Sequence, residues 1–160
     1  EVLSPPGNPV AHATMLLGGK VRHLWLVHPS NPLSERGRHS SNGELAALAG
    51  RIRSTPGSHV VFGDLNRTDG SPFFQDFERV SGLRDSRLGF GRQASWPVWS
   101  PYQIAIDHAF VSPDLAVTDR RLGPKIGSDH RPLLLEVAPA SPASAARSAP
   151  ESVSKASASR

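Results

Sequence analysis

Four short apolar runs, each carrying or adjoining an ionisable side chain, constrain this chain more than any other feature. Val21 to His28 (VRHLWLVH) is ended by Pro29, and His59 to Phe62 runs into Gly63-Asp64-Leu65-Asn66. Gln103 to Ser112 encloses Asp107, and Pro132 to Val137 follows Asp129-His130 directly. Runs of this length, rich in branched and aromatic residues and bounded by Gly or Pro, read as strands. Leu115 to Leu122 reads as another. Between them, Ser41-Asn42-Gly43-Glu44 has capping-box spacing, and Leu45, Leu48, Ala49 and Ile52 fall on one helical face. Pro56-Gly57 closes that helix. Ser71-Pro72 suits an N-cap and first helical position, with Phe73, Phe74, Phe77 and Val80 as the apolar face. Strand, helix, strand, helix and then several strands predicts a layered α/β (α+β) domain.

The sequence has 160 residues and no cysteine, which suits one domain and excludes a disulfide framework, a thiolate metal site and a cysteine nucleophile. No apolar run approaches the ~20 residues that cross a bilayer. Glu1 to Pro6 lacks the basic start and apolar stretch of a signal peptide, so the compartment stays open. From Ala138 onward, 18 of 23 residues are Ala, Ser or Pro, a composition that cannot bury enough apolar surface to order itself. Residues 138–160 are therefore expected to be a disordered tail, 20–137 the folded domain and 1–19 an irregular segment. Half of the net charge of +4 belongs to that tail, so the body is only mildly basic. Such a body tolerates a polyanionic substrate without requiring one.

Polar residues at strand ends can be presented rigidly into a cleft, and each here also has an ordinary explanation. Gly63 to Asn66 makes a good turn, Asp107 suits a solvated strand face, and Ser128-Asp129 suits a cap or loop. His12, His23, His39, His59 and His108 read as structural. Taken together, Asp64, Asp107, Asp129 and Asn66 form an oxygen-rich set suited to Mg²⁺ or Mn²⁺. With His28 and His130 beside them to move protons, this is the equipment of phosphate-ester hydrolysis. Zinc fits worse, as no HExxH occurs, and the absence of GxxxxGK argues against P-loop chemistry. There is no GxSxG elbow, and the consecutive Ser128-Asp129-His130 cannot converge as a catalytic triad.

The same motifs resemble those of the endonuclease/exonuclease/phosphatase superfamily, the fold of deoxyribonuclease I. Gly63-Asp64-Leu65-Asn66 resembles its GD(F/L)N motif, and Ile106-Asp107-His108-Ala109-Phe110-Val111-Ser112 its IDY-containing strand. Gly127-Ser128-Asp129-His130-Arg131-Pro132 resembles its closing SDHRP motif, Val27-His28-Pro29 its TH strand end, and Ser95-Trp96-Pro97 its TWP segment. The resemblance covers roughly 20–137 and implies a four-layer α/β sandwich with mainly antiparallel or mixed sheets.

It also implies roles. His28 contacts the scissile phosphate or acts near the leaving group, Asp64 orients or deprotonates the attacking water, and Asn66 hydrogen-bonds a phosphate oxygen. Asp107 fixes the tautomer of His130, which stabilises charge on the phosphoryl oxygens. Asp129 and Asp64 stand at the metal, Mg²⁺ or Mn²⁺, and Trp96 and Arg131 at the substrate. That substrate is a phosphate ester: nucleic acid, phosphoinositide or phospholipid headgroup. The family's first half contributes an asparagine and a metal-binding glutamate, and nothing before His28 resembles either. The chain thus resembles the C-terminal portion of the domain, with the N-terminal half as a candidate partner. A non-catalytic fragment or binding module of the same fold is the alternative. A general basic nucleic-acid binder, using Arg120, Arg121 and Lys125, is supported by no DNA- or RNA-reading motif.

Overall fold

The structure, a computed structural model, describes residues 2–3 and 10–140. Its largest element is a six-stranded sheet in the order β1-β2-β3-β4-β6-β5. These strands are β1 (Val2–Leu3), β2 (Val10–Leu17), β3 (Lys20–Leu26), β4 (Ser58–Asp64), β5 (Arg84–Asp85) and β6 (Asp107–Val111). All neighbouring pairs are antiparallel except β3 and β4, whose parallel pairing is crossed by helix α1 (Glu35–Ser54). Helix α2 (Pro72–Ser81) follows β4. β7 (Leu115–Leu122) and β8 (Leu133–Pro139) pair as a separate two-stranded ribbon. The architecture is mixed α/β, as expected. Helices, sheet and ribbon make three layers, and a fourth is not among the described residues.

Strand alternation sorts the core onto both sheet faces. Trp25, Val27, Val61 and Phe110 pack beneath Leu45, Leu48, Ala49 and Ile52 of α1 and Phe74 and Phe77 of α2. The opposite face contributes Val60 and Val111, which meet Leu115 and, less deeply buried, Leu24, Val117 and Leu135. Phe73 and Val80, expected in the α2 core face, are 41% and 37% exposed, and Phe73 lies under the Arg67 guanidinium instead.

Several boundaries differ from the sequence reading. Residues 10–17 are not irregular: they form β2, joined to β3 through the two-residue turn Gly18-Gly19, both at positive φ. That turn geometry matches the twist of paired strands and demands such residues. The cap of helix α1 lies seven residues before the anticipated Ser41: Ser34 caps it by accepting from the Gly37 N–H at 3.0 Å. Its first turns are polar and carry no apolar period. Ala138 and Pro139, assigned to the tail, close β8. From residue 141 onward the tail lies outside the described residues.

Candidate active site

Strand direction assembles the site. β3 and β4 run parallel, so both end at the same sheet edge, and the antiparallel β6 starts there. His28 follows β3, Asp64 ends β4 and Asp107 opens β6 as the register partner of Asp64. Gly63 makes the close approach possible. At φ +147°, a Cβ there would lie 1.9 Å from the Val27 carbonyl oxygen, so no other residue fits beside the end of β3. The β7–β8 connection then swings Asp129 and His130 over this edge.

His130 is the centre of the cluster. Its Nδ1 lies 2.8 Å from Asp107 Oδ2, and its Nε2 points toward Asp64, 3.9 Å from Oδ2. His28 Nε2 approaches the same Asp64 oxygen at 3.7 Å. A carboxylate accepting from Nδ1–H leaves Nε2 to face a reacting group, which is how a neighbouring acid fixes a histidine tautomer. The other Asp64 oxygen accepts the Asn66 backbone N–H at 2.6 Å. Burial raises the Asp64 pKa above the ordinary carboxylate value, with the Asn66 bond and the two histidines opposing. A carboxylate so raised is a stronger base toward water. Asp129, at the surface, is held below the ordinary value, chiefly by the Trp96 indole N–H 3.1 Å from its Oδ2.

His28, Asp64, Asp107 and His130 are thus brought together, with Asp129 and Trp96 at their margin. Trp96 also faces the His130 ring at 6.2 Å. Asn66, at φ 53°, sits in the same loop cluster, but its Nδ2 donates to the Pro29 carbonyl and ties the two strand-end loops together. Arg131 is not among the group. Its guanidinium donates to the Gly123 and Leu122 carbonyls at the end of β7. Arg120, one of the three residues of the basic nucleic-acid-binder reading, is 2% exposed. His108 is wholly buried and structural, bonding the Arg67 carbonyl at 2.7 Å, and burial pushes its pKa down to about 4. His12, His23 and His59 stack beside Trp25 under the C-terminal end of α1.

Sequence reasoning missed Ser95. Fully buried, its hydroxyl donates at 2.5 Å to the Asp107 oxygen that holds His130, while its carbonyl accepts from the Arg131 N–H. The signal was its place one residue before Trp96, but only the fold shows that this loop lies against β6.

Asp64 and Asp129 supply hard oxygen donors, yet among the described residues no three His, Asp or Glu side chains gather where they could hold a metal ion. The described side chains therefore offer a divalent cation a partial shell, the remainder of which Mg²⁺ ordinarily takes from water and substrate.

A histidine–carboxylate pair thus faces a second carboxylate at the strand ends of a mixed α/β sheet. The chain belongs to the Endonuclease/Exonuclease/phosphatase family, whose sequence pattern matches residues 3–130. No curated protein matches it. Among solved structures it is similar to a functionally unknown conserved protein from Enterococcus faecalis (19% identity, TM-score 0.65, 86% of this chain and 60% of that one). It is also similar to a mannosyl-6-phosphatase from Bacteroides thetaiotaomicron (19%, 0.58, 81% and 56%). A third is D. rerio TDP2 complexed with a single-strand DNA product (16%, 0.65, 81% and 61%). At these identities the likeness is one of fold, and the chain spans 56–61% of the length of these three structures.

Proposed function

We propose that this domain hydrolyses phosphate esters, a diester in preference to a monoester. The observation that carries this reading is His130 set between Asp107 and Asp64, with the pKa of Asp64 raised by burial. Asp64 takes the proton of the attacking water. His130, oriented by Asp107 and through it by Ser95, directs Nε2 toward the charge that builds on the phosphoryl oxygens. His28 lies on the other side of Asp64, within reach of a phosphate oxygen or the leaving group. Trp96 borders the substrate beside His130. The TDP2–DNA structure and the mannosyl-6-phosphatase support a phosphate-ester substrate without choosing among nucleic acid, phosphoinositide and phospholipid headgroup.

Asp129 and Asp64 would supply two of the oxygen ligands of Mg²⁺ or Mn²⁺, the rest coming from water, substrate oxygens or a further carboxylate. A second polypeptide segment, the other half of the sandwich, is the proposed source of that carboxylate. An open apolar trough of about 410 Å³ between sheet and ribbon, lined by Leu24, Phe62, Leu133 and Val137, reaches Asp107 and gives such a segment a seat. That nothing before His28 resembles the family's glutamate and asparagine supports the second reading, a fragment that binds without turnover.

Hydrolysis of bis-p-nitrophenyl phosphate with Mg²⁺ or Mn²⁺, by this chain and by the same chain with added upstream sequence, tests both. Loss of turnover in Asp64→Ala and His130→Ala supports the enzyme. Unchanged rates in those variants defeat it, and no turnover in either form leaves the binding module.

A further inference from the structure

Residues 86–106, between β5 and β6, carry Ser95 and Trp96, the direct supports of Asp107 and Asp129. Arg87 ties the start of this loop to Asp85 and Asp69 and lies over the Phe74 ring, but the stretch after it packs little. Gly89 and Gly91 both have positive φ with nothing near an added Cβ, and Leu88 is 74% exposed. Something else fixes it upstream of Ser95.

That something is a buried cation on the ribbon. Arg120 of β7 donates from Nε to Ser86 Oγ at 2.9 Å, where the loop begins. Its Nη1 donates to Gln93 Oε1, and Gln93 Nε2 donates back to the Arg120 carbonyl and to the Phe90 carbonyl. Gln93 is held at φ 42°, a conformation that side-chain-bearing residues avoid unless their surroundings impose it. Asn66, inside the site, is the other non-glycine residue at positive φ among those described. Arg120 Nη2 is buried with no partner, and its positive charge lies within electrostatic reach of Asp107. An incompletely satisfied buried guanidinium is a poor choice for stability alone.

We propose that Arg120 and Gln93 are positioning residues for the candidate active site. Together they lock the loop to β7 so that Ser95 meets Asp107 and Trp96 meets Asp129. This rests on the phosphoesterase reading for its purpose but not for its test. The three tryptophans, Trp25, Trp96 and Trp99, give three indole N–H resonances, and that of Trp96 reports the bond to Asp129. Trp25 bonds His59 on the far side of the sheet and serves as the internal reference.

In the 160-residue chain, Gln93→Ala should shift the Trp96 indole resonance and speed its hydrogen exchange about tenfold or more, leaving Trp25 unchanged. Ser86→Ala, which removes only the Nε contact, should act in the same direction with smaller effect. An unchanged Trp96 in whichever variant folds overturns the proposal. So does equal acceleration of Trp25 and Trp96, which marks general loosening. The readout needs no turnover: a chain that hydrolyses nothing leaves it intact, and an unchanged Trp96 leaves the phosphoesterase reading standing.

Discussion

Two residues of adjacent strands show how burial is used differently at and beside the site. Burial raises the Asp64 pKa, so the charged form is the one the fold disfavours. The stability conferred by its proton is complete below the unfolded value near ~4 and lost as pH climbs through the raised folded value. Asp64→Asn keeps the oxygen that accepts from Asn66 and removes the charge. It should abolish hydrolysis yet stabilise the chain at pH 7 by about 0.5–1 kcal/mol, as loss of functional strain commonly does. Thermal unfolding at pH 7 and pH 4 checks this, since the advantage should shrink at the lower pH. His108 behaves in the opposite sense. Buried neutral, with its pKa pushed down to about 4 from 6.5, it contributes stability present above 6.5 and lost as pH falls toward 4. The full loss is about 3 kcal/mol. Urea unfolding between pH 7 and pH 4 should show this slope, and His108→Gln should flatten it.

At the scale of elements, the same physics explains what could be read in advance. Strands β3, β4, β6 and β8 were legible because each is a compact apolar run ending in punctuation. Asp64 and His130 were legible beside these strands, whereas Asp107 was read inside a strand spanning 103–112 and the structure puts it at the start of β6. β2 was not, because Val10–Leu17 is mixed in polarity and its side chains from Ala13 to Leu16 are largely exposed. The start of α1 was hidden for a related reason: its first two turns are polar, and only the Ser34 cap marks them. Ser34→Ala should lower unfolding free energy by about 1 kcal/mol, measurable as a shift in Tm. An unchanged Tm would mean that the first turn frays and that the helix effectively begins nearer Ser41. The parts played by Ser95 and Arg120 were hidden, although Ser95 stood in the TWP-like segment and Arg120 among the basic residues weighed for nucleic acid. Their importance arises from contacts 12 and 27 residues away along the chain, which no local pattern encodes.

For the whole molecule, the decisive fact is that the site straddles two bodies of unequal support. His28, Asp64 and Asp107 stand on the six-stranded sheet, backed by the helices. Asp129 and His130 hang from a two-stranded ribbon whose apolar contact with that sheet is confined to the small cluster around Val60, Val111 and Leu115. An isolated two-stranded ribbon is marginal in water, and the open trough beside it leaves part of its inner face uncovered. The ribbon should therefore open below the global unfolding free energy, taking His130 away from Asp107 while the sheet persists. Native-state hydrogen exchange checks this: amides paired between β7 and β8 should exchange about tenfold or more faster than those between β4 and β6. Equal protection would mean that sheet and ribbon unfold as one unit. A segment seated in the trough would close the gap between the two rates, because it stabilises only the docked form. Supplying such a segment should thus slow ribbon exchange before any effect on the sheet, linking occupation of the trough to assembly of the site.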